Sequence, residues 1–424
     1  MSRAVKTTVI TLSLLVFFYV ALGYVLGKTT DDRSYRGLTL FSEVLQRIQQ
    51  DYVEEPNIPL VTSGALHGLL ESLDPQSSYL SPREYAEYKK ESEVGHRGDV
   101  GVALSKRFGY VVVVAVLPDS PAHKAGLRGG DILEAIAGFS TREMSVGQAH
   151  LLLTGEPGTP VKTSVVASRF GTGTQAQEVE VVRREIVFPP VQADKLEGEI
   201  GYLHVPALNA GKSAEIRQKL VQFDRQGVRK LVLDLRDCAF GEMNEAFEAA
   251  RLFVPSGPLA TLRGQTVAAK EFSAEPAKVV WKHPFTVLIS NGTAGPAEVL
   301  AAALGGHPDA SGGKVELVGE RTFGTASEQK VIPLEDGAAL ILTVANYYTS
   351  ISKVILEEGV LPTVEARSAS DSPDADDETA DTPKPAQDDP VLKKGIEVLS
   401  APGGSAAEKK GQARLRAPRR GDAA

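Results

Sequence analysis

One strand-turn-helix segment constrains this chain more than any other feature. In VLISNGTAGPAEVLAAAL, residues 287–304, an apolar run ends at Ile289, polar residues make a turn, and an Ala/Leu-rich helix begins near Pro296. Backbone N–H groups at such a helix start favour developing negative charge. The pattern is typical of a site that holds a nucleophile, yet neither serine nor cysteine stands where the turn meets the helix.

Residues 187–366 as a whole predict an α/β core. Apolar runs alternate there with amphipathic segments, which predicts strands joined by helical crossovers on one sheet. The apolar runs are IGYLHV, KLVLDL, FTVLIS and VELVG, and the helical segments are SAEIRQKLVQFDRQ, NEAFEAARLF and PAEVLAAAL. With 42% hydrophobic residues in 424, the chain can bury more than one core of this kind.

Three other regions differ from this core in pattern. Residues 29–94 show helical periodicity. Residues 95–186 show short apolar runs with two short helical segments, which predicts a small, partly open barrel. Residues 367–424 are rich in Ser, Asp and Pro, and we expect disorder there apart from the brief helical pattern DPVLKKGIEVLS.

The N-terminus, residues 1–28, predicts attachment to a membrane. Val9 to Gly27 is uncharged and nearly all apolar, and it follows Arg3 and Lys6. That length spans a bilayer, and the basic flank stays inside. A cleavable signal peptide is the alternative. Both place the rest of the chain outside the cytoplasm, in the periplasm if the source is bacterial.

Composition excludes several classes of partner. The formal net charge is −8, so we expect no nucleic acid partner. The 7 histidines and the single cysteine, Cys238, show no metal-ligand spacing, and we expect neither a metal nor another cofactor. Protein or peptide segments remain as partners, and a homo-oligomer stays open.

Three motifs between residues 97 and 161 resemble a PDZ domain of the kind found in bacterial secreted proteases. They are RGDVGVAL, VVAVLPDSPAHKAGLRGGDILEAIAG and MSVGQAHLLLTGEPGTPV. The resemblance implies that a peptide adds as a strand while its terminal carboxylate meets a loop of Gly98, Val100, Gly101 and Val102. Alternatively, the glycines only serve turns. Asp99 would repel a carboxylate there, so we expect weak binding or a preference for internal or basic segments.

Five further motifs, between residues 73 and 365, resemble the C-terminal processing peptidases, also called carboxyl-terminal or tail-specific proteases, and the resemblance covers residues 35–365. They are LDPQSSYLSPREY, GYLHV with LVLDLRD, VLISNGTAGPAEVLAAAL, VGERTFGTASEQ, and LILTVANYYTSISKVILEEGVLPTVE. The resemblance implies a serine protease in which a lysine activates the nucleophile, often with a glutamine that orients the lysine.

The positions that carry this chemistry in the family are substituted here. The resemblance places the nucleophile at Gly295 and the base at Thr325, while the supporting Gln329 is retained. The turn that resembles an oxyanion hole ends at Gly241 and contains Ala239 and Phe240. Since glycine offers no nucleophile, we expect a catalytically inactive homologue that works by binding peptide or protein segments.

Two alternatives stay open. One is an active serine-type endopeptidase with a relocated nucleophile, Thr293 or Ser290, and a relocated lysine base, Lys314 or Lys330. The other is a structural scaffold whose PDZ groove is closed. The predicted fold class is α+β multidomain: N-terminal anchor and helices, PDZ domain, α/β protease-like core and disordered tail.

Overall fold

The computed structural model describes residues 11–19, 32–94, 98–107, 109–167, 175–367 and 389–401. The chain forms two compact units, Met1–Ala65 and Leu66–Ala424, and each is described by itself. Most of the predicted span from Val9 to Gly27 and most of the predicted disorder after residue 366 fall outside the described residues. Within the described ranges, no helix has the length and apolar character needed to cross a bilayer.

Helices are numbered from residue 32 onward. They are α1 (Asp32–Asp51), α2 (Ile58–Glu71), α3 (Pro82–Val94), α4 (Pro121–Lys124), α5 (Val146–Leu153), α6 (Lys212–Arg225), α7 (Met243–Arg251), α8 (Pro296–Gly305) and α9 (Pro390–Ser400). Residues 11–19 are also helical.

Strands in the first half of the chain belong mainly to the PDZ region. They are β1 (Ser78–Leu80), β2 (Val102–Arg107), β3 (Tyr110–Val116), β4 (Ile132–Ile136), β5 (Phe139–Ser140), β6 (Pro160–Val166) and β7 (Gln177–Val182). The later strands are β8 (Gln192–Leu196), β9 (Ile200–His204), β10 (Lys230–Asp234), β11 (Pro258–Arg263), β12 (Lys270–Ser273), β13 (Phe285–Ile289), β14 (Glu316–Gly319), β15 (Ser327–Pro333), β16 (Ala339–Thr349) and β17 (Val364–Glu365).

The core sheet has the order β17-β14-β13-β10-β9-β8. All of these strands pair in parallel except β8, which runs antiparallel to β9. Side chains alternate between the faces of a strand. Leu231 and Leu233 therefore pack in the cluster that includes residues of α6, α7 and α8, while Val232 packs with Val391 and Leu392 of α9. The predicted crossover core is confirmed, and the helix after the acidic segment covers its second face.

A second, antiparallel sheet was not predicted. Its order is β1-β16-β11-β12, and β15 also pairs with β16. The short strand β1 comes from the segment before the PDZ region, and Ser78 pairs with Ile341 of β16. This pairing joins that segment directly to the core.

The PDZ region forms a third sheet with the order β2-β3-β4-β6-β7, and β5 pairs with β4. Its apolar cluster includes Ala122 of α4 and Leu153 of α5, which pack with strand residues such as Val113 and Leu133. Because β2 ends the sheet order, one of its edges has no strand partner among the described residues. That edge is where an added peptide strand would pair.

Candidate functional site

The turn between β13 and α8 is held by hydrogen bonds of Thr293. Its Oγ1 donates to the carbonyl oxygen of Leu235 at 2.8 Å and accepts the N–H of Ser290 at 3.0 Å. The carbonyl oxygen of Thr293 accepts the N–H of Phe323 at 3.0 Å. Thr293 is fully buried. The turn is therefore fixed to the neighbouring strand end and to the loop that carries Thr325.

Gly295 ends this turn in a conformation that L side chains rarely adopt, with φ 55° and ψ −117°. Its N–H donates to Thr325 Oγ1 and to Glu298 Oε2, both at 3.0 Å. A Cβ built on Gly295 would lie 3.9 Å from Thr325 Oγ1, an ordinary van der Waals contact, so it would meet no clash there. The structure thus brings together the two positions predicted for nucleophile and base.

The start of α8 offers few donors to an anion. Pro296, the first helical residue, has no N–H. The N–H groups of Ala297 and Glu298 already donate to the carbonyl oxygens of Ala294 and Gly295. A helix N-terminus stabilises negative charge through its free N–H groups. At the start of α8, the N–H groups that follow Gly295 either already donate within the helix turn or, at Pro296, do not exist.

Glu298 holds the loop around Thr325 against α8. The carboxylate is fully buried, and it accepts the hydroxyl of Thr322 at 2.5 Å and the N–H groups of Gly324, Thr325 and Ala326 at 2.6, 2.7 and 3.1 Å. Burial raises the pKa of Glu298, and these hydrogen bonds oppose the rise. Glu298 was not predicted as a site residue, although an acidic side chain in a first helical turn is a visible signal.

A cavity of about 220 Å³ lies beside Thr325, between the core and the PDZ sheet. Its walls are Gln76, Ala103, Leu104, Val114, Ala239, Ala294, Thr325, Ser327 and Gln329. None of these described wall residues is charged, and none is lysine or histidine. The cavity can hold a small uncharged group, but its walls supply no amine to activate a hydroxyl.

Gln329, which was predicted to orient a lysine, contacts the loop before β1. Its Nε2 donates to the carbonyl oxygen of Gln76 at 3.0 Å. The Gln76 side chain in turn donates to Ser105 Oγ of β2 at 3.2 Å. Gln329 therefore connects the core to the loop before β1 and, through it, to the PDZ edge strand. The sequence analysis did not single out Gln76 or Ser105.

The turn that resembles an oxyanion hole is tightly packed. Gly241 has φ 132°, and a Cβ there would come within 2.2 Å of the backbone of Leu208, so only glycine fits. The half-buried Phe240 ring packs edge-on against Phe188, with centroids 6.5 Å apart. Cys238 is buried, and burial raises the pKa of its thiol.

Among the described residues, no hydrogen bond joins a hydroxyl proposed as the relocated nucleophile to a lysine proposed as the relocated base. Ser290 Oγ donates to Asp237 Oδ1 at 3.2 Å. Lys314 is exposed and pairs with Glu316 at 3.2 Å, at the amino end of β14, whereas Thr293 follows the carboxyl end of the parallel neighbour β13. Four strand residues separate these ends, which amounts to about 10 Å. Lys330 lies exposed on β15.

In the predicted carboxylate-binding loop of the PDZ region, one backbone N–H already donates to a side chain of the same loop. Gly101, with φ 83°, donates its N–H to Asp99 Oδ1 at 2.8 Å. Gly98 exchanges backbone hydrogen bonds with Gly155 at 2.8 and 2.9 Å. Val100 and Val102 are buried. Asp99 thus places a carboxylate of the chain itself on one of the amides assigned to a ligand.

In the part of the chain that the structure describes, no group of three or more His, Cys, Asp or Glu side chains converges. Fold and site together define the class: an α/β peptidase-like core that carries a PDZ-like module beside its nucleophile turn.

Comparison with known proteins specifies this class. The model of peptidase family S41 matches residues 199–366, and a PDZ domain model matches residues 112–166. The carboxyl-terminal-processing protease of Picosynechococcus sp. is 31% identical over 294 residues, which cover 68% of this chain and 69% of that protein. The carboxy-terminal-processing protease of Bartonella bacilliformis is 29% identical over 339 residues, 79% of this chain and 76% of that protein.

A solved structure agrees with the sequence comparisons. The photosystem II D1 C-terminal processing protease superposes with a TM-score of 0.63 at 26% identity, covering 78% of this chain and 92% of that chain. The chain belongs to the carboxyl-terminal-processing protease family and contains a PDZ domain. The predicted resemblance is confirmed.

Proposed function

We propose that this chain is a catalytically inactive member of its family that binds extended protein or peptide segments. The observation that carries the proposal is the contact between Gly295 and Thr325. A backbone N–H and a threonine hydroxyl meet there, where the family chemistry requires a serine hydroxyl and a lysine amine. Neither group offers a nucleophile with a base beside it.

Two further observations support the loss of activity. Pro296 removes an N–H directly after the nucleophile position, and Phe240 stands in the turn assigned to the oxyanion hole. Each missing oxyanion donor costs on the order of 10² to 10³ in rate. Losing the nucleophile of such a site costs about 10⁶. Together these losses remove the basis for measurable turnover.

Binding remains feasible because one edge of β2 has no strand partner in the described part of the chain. The unpaired edge of β2 can accept an extended segment through main-chain hydrogen bonds. Ala103 and Leu104 of β2 also line the cavity beside Thr325. An added segment would therefore run next to the former catalytic position.

The test combines cleavage and binding. The purified chain should leave fluorescein-labelled casein intact and should not react with a fluorophosphonate probe. It should bind peptides of alternating valine and serine. Cleavage abolished by Thr293→Ala or Lys314→Ala would instead support the active endopeptidase with a relocated dyad. Absence of any peptide binding would support the scaffold with a closed groove.

We propose that the N-terminal segment attaches the protein to a membrane and that the folded part works outside the cytoplasm. The support is the uncharged run from Val9 to Gly27 with Arg3 and Lys6 before it. In cells with a permeabilised outer layer, added protease should digest the folded part while the inner membrane is intact. Protection under those conditions would contradict the proposal.

A further inference from the structure

Two arginines lie at the junction of the PDZ domain and the core, one on each side. Arg107 is the last residue of β2, and its guanidinium lies 4.0 Å from the centre of the Phe323 ring. It also donates to the Phe323 carbonyl oxygen at 3.4 Å. Arg321 precedes Phe323 by two residues in the same loop. The pair is thus formed by one residue from each domain.

No carboxylate within the described residues forms an ion pair with either arginine. The neighbouring Glu320 lies 3.7 Å from Arg367. Burial lowers the pKa of Arg107, and the charge of Arg321 lowers it further. Arginine nevertheless stays protonated in proteins, so the two like charges repel. An anion from outside this set would relieve the repulsion.

The pair stands at the far end of the strand that an added segment would use. Strand β2 covers six residues, from Val102 next to the Asp99 loop to Arg107. Ala103 and Leu104, between these ends, line the cavity. If a segment pairs antiparallel with β2, the residue opposite Arg107 precedes the residue opposite Val102 by five positions.

We infer that Arg107 and Arg321 recognise an acidic side chain of the bound segment, five residues before the residue that pairs with Val102. This specificity rests on the proposed peptide-binding function. Asp99 repels negative charge at the opposite end of β2 and already occupies the Gly101 amide. The favoured ligand is an extended internal segment that is acidic upstream and uncharged downstream.

A purely structural role for Arg107, as packing on Phe323, makes a different prediction. Packing on a ring stabilises the domain junction whatever peptide is bound. It gives no reason for a preference among peptides, and it assigns no role to Arg321. Peptide preference therefore separates the two roles.

The experiment measures peptide affinity by fluorescence anisotropy with the full chain. The probes are acetylated and amidated Val/Ser peptides of about ten residues, with a single Glu moved along the sequence, and a matched set with Gln. At low salt we expect one Glu position to bind about two- to fivefold more tightly than its Gln match, as for an exposed ion pair. High salt should remove the difference.

Three variants assign that preference. Arg107→Gln and Arg321→Gln should each abolish the Glu preference while Gln peptides still bind. Arg142→Gln is the matched control, because Arg142, like Arg107, lies over an aromatic ring: its guanidinium is 4.6 Å from the centre of the Tyr110 ring. The Arg142→Gln variant should keep the Glu preference.

Two outcomes would overturn the inference, and they are distinguishable. Equal binding of Glu and Gln peptides, or a preference that survives in both Arg107→Gln and Arg321→Gln, removes the acidic specificity and leaves the peptide-binding function intact. If neither peptide set binds, the proposed function fails, and the specificity fails with it.

Discussion

At the scale of single residues, Gly295 combines a turn backbone with positive φ and no side chain, and it contacts Thr325. Gly295 has a positive φ that is unfavourable for other residues, and a Cβ there would reach Thr325 Oγ1 at van der Waals distance without a clash. A strained turn of this kind is where hydrolases hold an exposed nucleophile. The backbone at Gly295 therefore suits a nucleophile, although glycine itself supplies none.

The first prediction restores the missing pair. Gly295→Ser with Thr325→Lys should produce slow hydrolysis of labelled casein, because a hydroxyl and an amine then share the space between the two positions. Backbone strain at residue 295 should lower the free energy of unfolding by about 1–3 kcal/mol. Adding Phe240→Gly or Pro296→Ala should raise the rate, since each change favours oxyanion donors.

The single variants are the controls for this restoration. Gly295→Ser alone and Thr325→Lys alone should stay inactive, because a serine needs a base and a lysine needs a nucleophile. A double variant that folds and yet shows no hydrolysis, even with Phe240→Gly and Pro296→Ala added, would contradict the assignment of these positions.

The second prediction concerns Glu298. Glu298→Gln replaces one carboxylate oxygen, which accepts hydrogen bonds, by an NH₂ group, which donates them. This NH₂ group would then face backbone N–H donors of the loop around Thr325. We expect the free energy of unfolding to fall by about 2–4 kcal/mol. Urea denaturation followed by fluorescence measures this change. The exposed Glu358 supplies the control, since Glu358→Gln should change the stability by less than about 0.5 kcal/mol. Equal effects of the two changes would show that the hydrogen bonds of the buried Glu298 carboxylate contribute little to the stability of the fold.

At the scale of elements, the edge strand β2 connects the PDZ domain to the region around Gln329 and Thr325. Three consecutive residues at its end contact other elements. Ser105 accepts from Gln76, Lys106 pairs with Glu71 at 2.9 Å, and Arg107 contacts Phe323. Ala103 and Leu104, in the first half of β2, line the cavity beside Thr325. Movement of the PDZ domain would therefore disturb the loops around Gln329 and Thr325.

The third prediction distinguishes two effects of Asp99 on peptide binding: its negative charge and its hydrogen bond with the Gly101 N–H. Asp99→Gly frees the Gly101 N–H and removes the negative charge, so Val/Ser peptides with a free C-terminus should bind about fivefold more tightly at low salt, the equivalent of about 1 kcal/mol. Asp99→Asn removes the charge but keeps an oxygen that can accept from Gly101. It should give a smaller gain. Amidated peptides should respond to neither change. No gain for Asp99→Gly would place the carboxylate site elsewhere.

At the scale of the molecule, the core sheet is stabilised from both faces, and α9 supplies the second layer. Arg236 links the helix to the sheet: it lies 2.6 Å from Asp234 and 2.7 Å from Asp389, the residue before α9. Tyr202 also donates to Asp234 at 2.8 Å. A segment that follows the acidic region thus completes the folded core.

The fourth prediction tests the docking of α9. Leu392→Ala removes a buried side chain that packs with Val232 and Leu288. It should lower the free energy of unfolding by about 2–5 kcal/mol. Lys394→Ala on the same helix should have less than about 0.5 kcal/mol of effect, since its ion pair with Glu397 is exposed. Similar urea midpoints for both variants would mean that α9 does not contribute to the stability of the core.

The fifth prediction is a pH dependence. Burial would raise the pKa of Asp234, but Arg236 outweighs burial and holds the pKa below its ordinary value. The ion pair therefore stabilises the fold above about pH 4, and this contribution is lost as the pH falls through the lowered pKa. Arg236→Gln leaves a buried unpaired carboxylate and should cost about 3–5 kcal/mol at neutral pH.

At low pH, Arg236→Gln should destabilise the fold less than it does at neutral pH. The difference in unfolding free energy between Arg236→Gln and the unmodified chain should shrink in acid, because Asp234 is then protonated in both. A difference that is constant between neutral and acidic pH would show that the pair acts through packing and not through charge.

The sequence by itself determined the strand-turn-helix unit, the crossover core, the PDZ motifs and the absence of serine and lysine at Gly295 and Thr325. These features are local, because periodicity, turn residues and motif identity are all read within a few residues. The helix of α9 was also visible in the pattern DPVLKKGIEVLS.

Only the tertiary structure decided which distant groups meet. Thr325 contacts Gly295 across 30 residues, and Gln329 reaches Gln76 across 253. Strand β1 joins a sheet that no local pattern indicated, and α9 returns to the far face of the core. Such contacts depend on which surfaces fit when the chain is compact, and the period of a local sequence does not encode that fit.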